Sequence, residues 1–100
     1  MTRSVRSSQR ASEELAAAVR WYELQRADLG FEFLEAISAA VSLIEESPEI
    51  GSPIGEDPRT RRVLVARFPY QVIHRVRTTE IVLVAFAHSK RHPDYWKSRE

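Results

Sequence analysis

The groups best able to do chemistry lie near the C-terminal end, where His88, Arg91, His92, Tyr95 and Trp96 fall within nine positions. An imidazole exchanges protons near neutral pH. A guanidinium holds phosphate or carboxylate in a planar fork. Aromatic rings stack on unpaired RNA bases. Together such groups fit cleavage of RNA through its own 2′-hydroxyl, which needs a base, an acid for the leaving oxygen and cations around the crowded phosphorus. In that reading His88 is the acid or base. Arg91, with Arg61, Arg62, Arg67 or Arg75, holds the phosphate, and Tyr95 donates a proton or stacks. A plainer reading stands beside it. His88 is then a strand-end imidazole bonded to backbone, and Tyr95 and Trp96 fold back to plug the core. For Arg91 and His88, holding a phosphate or an acidic partner is as open as proton transfer. His74, among apolar neighbours in mid-strand, reads as a packed or sheet-surface residue, and His92, before Pro93, as exposed.

Other chemistries find no support in the spacing. His88 and His92 are four apart, which would suit two metal ligands on a helix, but Pro93 argues against a continuing helix there, so no metal site is expected. The segment GSPIGED lacks the glycine spacing and the lysine-hydroxyl pair of a phosphate loop. No serine sits in a nucleophile-elbow context. No cofactor is implied.

The elements that must position these groups follow from local pattern. The chain has 100 residues, 43% hydrophobic and 29% charged, the balance of one ordinary globular domain spanning 1–100. It has no cysteine, which fits a reducing cytoplasm, and no stretch near the roughly 18 apolar residues of a membrane span. The first ten residues have basic groups but no apolar run after them, unlike a secretory signal. Residues 3–7 suit a short edge strand. Ser12 is the expected N-cap of a helix whose first turn holds Glu13 and Glu14, with Leu15, Ala18, Val19 and Tyr22 on one face. Trp21 lies at the margin of that face, to cover the hairpin or meet a partner. Residues 27–30 break this helix, with Gly30 at a C′ position or in a tight connection. A second helix carries Leu34, Ile37, Val41 and Ile44, flanked by Phe33 and Ala40, and stops at Pro48. After a Gly/Pro loop come three strands, at Arg62–Phe68, Tyr70–Arg77 and Glu80–Ala87, the last two joined tightly at Thr78-Thr79. The last is apolar on both faces, as a central strand should be. The expected architecture is α+β: a helical hairpin packed on one face of a small, mostly antiparallel twisted sheet. The other face is expected to be partly open, with the strand arginines on it.

The net charge of +1 hides a division. Residues 1–58 carry five basic and eleven acidic groups, and 59–100 carry ten and three, so −6 and +7 sum to +1. The second half can form a basic surface, or the two halves can neutralise each other across the fold.

The ordered set WYE (21–23), GFEFLEAI (30–37), SPE (47–49), a Gly/Pro loop, RR (61–62), FPYQVIHRV (68–76), AH (87–88), an arginine and PDYW (93–96) resembles the RelE/ParE superfamily of small bacterial type II toxins. The resemblance runs along nearly the whole chain. It implies a short first strand, then two helices and the remaining strands. It also implies a cognate antitoxin whose C-terminal segment wraps the toxin in a hetero-oligomeric complex. RelE-like members cut messenger RNA on the ribosome, and that mechanism would fall on Arg61 or Arg62, Arg67, His88, Arg91 and Tyr95. ParE-like members act on DNA gyrase and need no hydrolytic site. This C-terminal region has only Lys90 and Lys97 in place of a lysine-rich strand, and its AH followed by an arginine is closer to the ParE-like pattern. Arg61, Arg62, Arg67, Arg75 and Arg91 are then target-binding candidates. A non-toxic interaction or co-repressor module is the third alternative.

Overall fold

The computed structural model describes residues 3–99. Met1, Thr2 and Glu100, which entered the leader-peptide, charge and domain-range readings above, lie outside the described residues. In chain order the elements are β1 (Ser4–Ser7), α1 (Gln9–Gln25), α2 (Leu29–Glu46), β2 (Ser52–Pro53), β3 (Thr60–Leu64), β4 (Tyr70–Val76) and β5 (Glu80–His88). The five strands form one sheet ordered β1-β5-β4-β3-β2. β1 runs parallel to β5, and the other pairings are antiparallel. This is the α+β architecture expected, with β5 inside the sheet. No helix among the described residues is long and apolar enough to cross a membrane.

The first helix starts earlier than its acidic residues suggest. Ser8, not Ser12, is the N-cap: its Oγ accepts from the Ala11 N–H at 3.1 Å and donates to the Val84 carbonyl at 3.3 Å. The cap therefore also ties the helix to β5, and Glu14 lies a turn beyond the dipole's reach. Gly30 is not the end of α1 but sits in the first turn of α2. Asp28 takes the left-handed turn instead, at φ 71°. Glu23 caps the second helix from the first, its two carboxylate oxygens accepting from the Asp28 and Gly30 N–H groups, each at 3.0 Å. The stripe that α2 buries is Gly30, Phe33, Ile37, Ala40 and Ile44. That is one position round from the expected face, so Leu34 is left 39% exposed.

β3 ends at Leu64 rather than Phe68, because the chain turns there and Arg67 adopts φ 72°. The two-residue β2, hidden in a Gly/Pro loop, pairs with Arg61 and Arg62. Between Ile73 and His74 the β4–β5 register shifts by one residue. Ile81 and Leu83 face the helices, but beyond the shift Phe86 does so, while Val82, Val84, Ala85 and Ala87 face the other way. This is a β-bulge, which inserts one residue and reverses the alternation.

Two cores result. On the helix side Tyr22, Phe33, Phe68 and Tyr70 form a ring cluster with centroids 4.8–6.2 Å apart. On the opposite side Trp96, only 2% exposed, packs with Ile73, Val82, Val84, Ala85 and Ala87, with Tyr95 beside it. On that second face the C-terminal tail covers β4 and β5 with Arg75 beneath it, while β3 stays open with Arg62 and Leu64 exposed, so the face is partly open as expected but closed over its centre.

Candidate functional site

The end of β5 opens onto a cleft of about 380 Å³. Glu14, Ala17, Ala18 and Trp21 line it from α1, Tyr70 from β4, Phe86 and His88 from β5, and Arg91 from the tail. Its position follows from the bulge, which turns Phe86 toward α1, and from β1, which stops opposite Leu83 and leaves the last residues of β5 uncovered on that side. Trp21 is 58% exposed at its rim, edge-on to Tyr22 at 5.1 Å. Tyr70 packs edge-on to the His88 ring at 5.1 Å. The Tyr70 phenol is raised above its ordinary pKa, first by burial, then by the nearby Tyr22 and Glu14, with Arg91 opposing.

Glu14 organises the tail. Its Oε1 accepts from the Phe86 N–H at 3.1 Å and from Arg99 at 2.9 Å. Its Oε2 accepts from the Tyr95 hydroxyl at 2.7 Å and from Arg99 at 3.1 Å. Arg91 stacks on the Tyr95 ring with its guanidinium carbon 3.9 Å from the centroid, and Arg99 approaches the same ring at 4.9 Å. Burial, and then the Glu14 carboxylate, push the Tyr95 hydroxyl far above the ordinary tyrosine range. A phenol that is held neutral and already donates to a carboxylate is poorly placed to give its proton to a leaving group. At His88 the ring Nδ1 accepts from the Lys90 N–H at 3.0 Å. That contact occupies Nδ1 as an acceptor, so this nitrogen is engaged within the tail.

Of the residues singled out from sequence, His88, Arg91 and Tyr95 come together here, and the remaining arginines scatter. Arg67 bridges to Glu32 at 2.9 Å at the corner of the helical hairpin. Glu32, bound by Arg67 and Arg26, is held below the ordinary carboxylate range. Arg75 lies under the tail, donating to the Thr60 hydroxyl at 3.0 Å and to the Arg99 carbonyl, with its guanidinium 5.7 Å from the Trp96 ring. Arg62 is exposed on β3, near the Gln71 amide at 3.5 Å. Arg61 points to the opposite end of the sheet, where it donates to the Gly51 carbonyl at 3.0 Å. A phosphate cradle of Arg91 with these residues does not form. His74 is fully buried and bonds the Pro48 carbonyl at 2.9 Å, and His92 is exposed.

Sequence reasoning missed Glu14 and Arg99, which lie 85 positions apart and carry no local signal of pairing. Tyr70 and Phe86 carry only strand signals in the sequence. Of the WYE segment, Tyr22 is core, Glu23 is a helix cap and Trp21 alone faces solvent at the cleft.

No curated protein matches the chain. Among solved structures, one of a chromosomal ParDE toxin–antitoxin system from P. aeruginosa superposes with a TM-score of 0.75 at 19% identity, covering 87% of this chain and 96% of that one. At that identity the likeness is one of fold. The sequence profile described as the ParE toxin of the type II toxin–antitoxin system parDE matches residues 5–93. That match runs over nearly the whole length, and the chain belongs to the ParE toxin family of type II toxin–antitoxin systems.

Proposed function

We infer that this single-domain, cytoplasmic toxin arrests growth by binding DNA gyrase as a protein partner, with no hydrolytic step, and that a cognate antitoxin neutralises it. The observation that carries the reading is the commitment of the Tyr95 hydroxyl to Glu14. Of the three groups brought together at the end of β5, one has its proton engaged, one has a ring nitrogen occupied by a backbone N–H, and one is a single arginine laid on an aromatic ring. What remains is a cleft with aromatic walls and a charged rim, the composition of a protein-docking hot spot. His88 and Arg91 then hold acceptor groups of the target, and Trp21 provides the apolar anchor. The antitoxin partner is supported by family membership and by apolar side chains left exposed along the hairpin, among them Leu24 (84%) and Phe31 (62%). An amphipathic segment with acidic residues would cover both these and the cleft rim.

The test uses purified chain, gyrase and relaxed plasmid. The expected result is loss of supercoiling with accumulation of broken DNA. Arg91→Ala and Trp21→Ala should weaken inhibition, while Tyr95→Phe, which keeps the ring, should retain it. Normal supercoiling at toxin excess would sink the reading. So would messenger cleavage in a translating extract that Tyr95→Phe abolishes, because Tyr95 would then be catalytic.

A further inference from the structure

At the other end of the sheet, roughly 26 Å away along β5 at ~3.3 Å per residue, lies a second concave surface with different chemistry. A cleft of about 290 Å³ beside the β4–β5 turn is lined by Arg3, Arg59, Arg61, Arg77, Thr78 and Glu49, with only Pro58 and Val76 as apolar neighbours. Four guanidinium groups face one carboxylate, a local balance of +4 − 1 = +3.

The way these arginines are held matters more than their number. Arg3 donates through Nε to the Arg77 carbonyl at 2.7 Å, and Arg61 donates to the Gly51 carbonyl at 3.0 Å. A carbonyl fixes a guanidinium in place without cancelling its charge. The Arg77 side chain has no hydrogen-bond or ion-pair partner among the described residues. Only Arg59 is neutralised, by Asp57 at 3.2 Å. Arg3 and Arg61 are thus preoriented with their charge intact, Arg77 adds a third charge that no contact holds, and Glu49 is the carboxylate in the lining that faces these three, with Thr78 beside them.

We propose that this cleft binds the phosphodiester backbone of duplex DNA without regard to sequence. Guanidinium, hydroxyl and backbone N–H groups are the donors that contact phosphates. An acidic peptide would meet the same charges but would need an apolar anchor to bind firmly. No aromatic residue lines this cleft, in contrast with Trp21, Tyr70 and Phe86 at the β5 end. The lack of rings also removes any platform for stacking unpaired bases, which favours duplex over single strands. The proposal does not rest on the gyrase reading, because it concerns the isolated chain.

The experiment is fluorescence anisotropy of the purified chain with a labelled duplex of about 20 base pairs, across roughly 50–200 mM salt. Three neutralised phosphates give a log–log salt slope near −2.7 and an affinity loss of about 40-fold over that range. Arg77→Ala should reduce the slope by about 0.9, Arg3→Ala/Arg77→Ala by about 1.8, and Arg77→Lys should leave it unchanged because the charge is kept. Arg20→Gln, an equal charge change on α1 outside the cleft, should not alter it. Circular dichroism of each variant confirms folding. Absence of binding at the lowest salt overturns the proposal. A slope indifferent to Arg77→Ala also overturns it, since DNA is then held elsewhere. Binding of a poly-glutamate peptide in preference to the duplex assigns the cleft to acidic protein and overturns it as well.

Discussion

Glu14→Ala should be among the most destabilising single substitutions on the surface of α1. Glu14 and Arg99 side chains are only 16% and 10% exposed, and four hydrogen bonds converge on the one carboxylate. Removing it leaves the Arg99 charge buried with the Val84 carbonyl as its nearest acceptor, at 3.2 Å, and with a Nε that already has no partner. Breaking a buried ion pair from one side costs about 3–5 kcal/mol. The residual exposure argues for the lower end. The Phe86 N–H, which lies beyond the last residue of β1 and so has no strand partner there, adds an orphaned donor worth about 1–3 kcal/mol if water does not reach it. These terms overlap, and about 3–4 kcal/mol is expected from urea unfolding at pH 7. For a chain of this length that corresponds to a fall in Tm of roughly 12–30 °C. Glu14→Leu/Arg99→Met, which replaces the pair by apolar groups, should recover most of the loss, and the double-mutant cycle should return a coupling of at least ~2 kcal/mol. A loss below about 1 kcal/mol, or additive single changes, would refute the claim that Glu14 fastens the tail to the sheet.

Two further outcomes follow from buried contacts. Burial lowers the pKa of His74 against the opposing bond to the Pro48 carbonyl, with the positive Arg61 adding to the depression. The unfolded chain therefore binds more protons below about pH 6.5, so stability present above that pH is lost as pH falls, by up to about 1.4 kcal/mol per pH unit. His74→Gln, which can still donate to Pro48, should flatten that part of the urea-midpoint profile, and an unchanged slope would rule His74 out as its source. At Gly30 an added Cβ would lie 2.7 Å from the Val19 carbonyl oxygen and 3.1 Å from the Glu23 carboxylate. Gly30→Ala should destabilise by about 1–3 kcal/mol in the same assay, although alanine is the better helix former by about 1 kcal/mol. A stabilised variant would show that the helices need not approach so closely there.

What the sequence conveyed and what it withheld divide along physical lines. Both helices, the hairpin between them and the central place of β5 were legible, because period 3.6 and continuous apolar runs are local patterns. The aromatic tail was legible as a plug because Trp96 has too much apolar surface to leave in water on a chain this size. The reversal of inward and outward positions along β5 was not legible. Val82 and Phe86, both even-numbered, face opposite sides only because β4 skips a partner between Ile73 and His74. No pattern within β5 alone records that skip. The start of α1 was misplaced for a related reason. Two carboxylates after Ser12 look like dipole partners, yet Glu14 is held by groups 72–85 positions away.

The division of charge shows the same limit. Part of the positive excess in the second half is neutralised by acids of the first, in Arg67–Glu32 and Arg99–Glu14, while Arg6 of the first half meets Glu80 of the second. A count of arginines cannot distinguish these from guanidinium groups held by carbonyl oxygens, as at Arg61 and Arg3. Both kinds are ordered, but only the second keeps a field that reaches solvent. Which kind an arginine becomes depends on whether the chain brings it a carboxylate or a bare carbonyl, and the topology settles that by placing Arg99 beside α1 and Arg61 beside the Gly51 turn. Charge-changing substitutions at the two ends of the sheet should therefore act on different observables: stability at Glu14 and Arg99, salt-dependent association at Arg3 and Arg77.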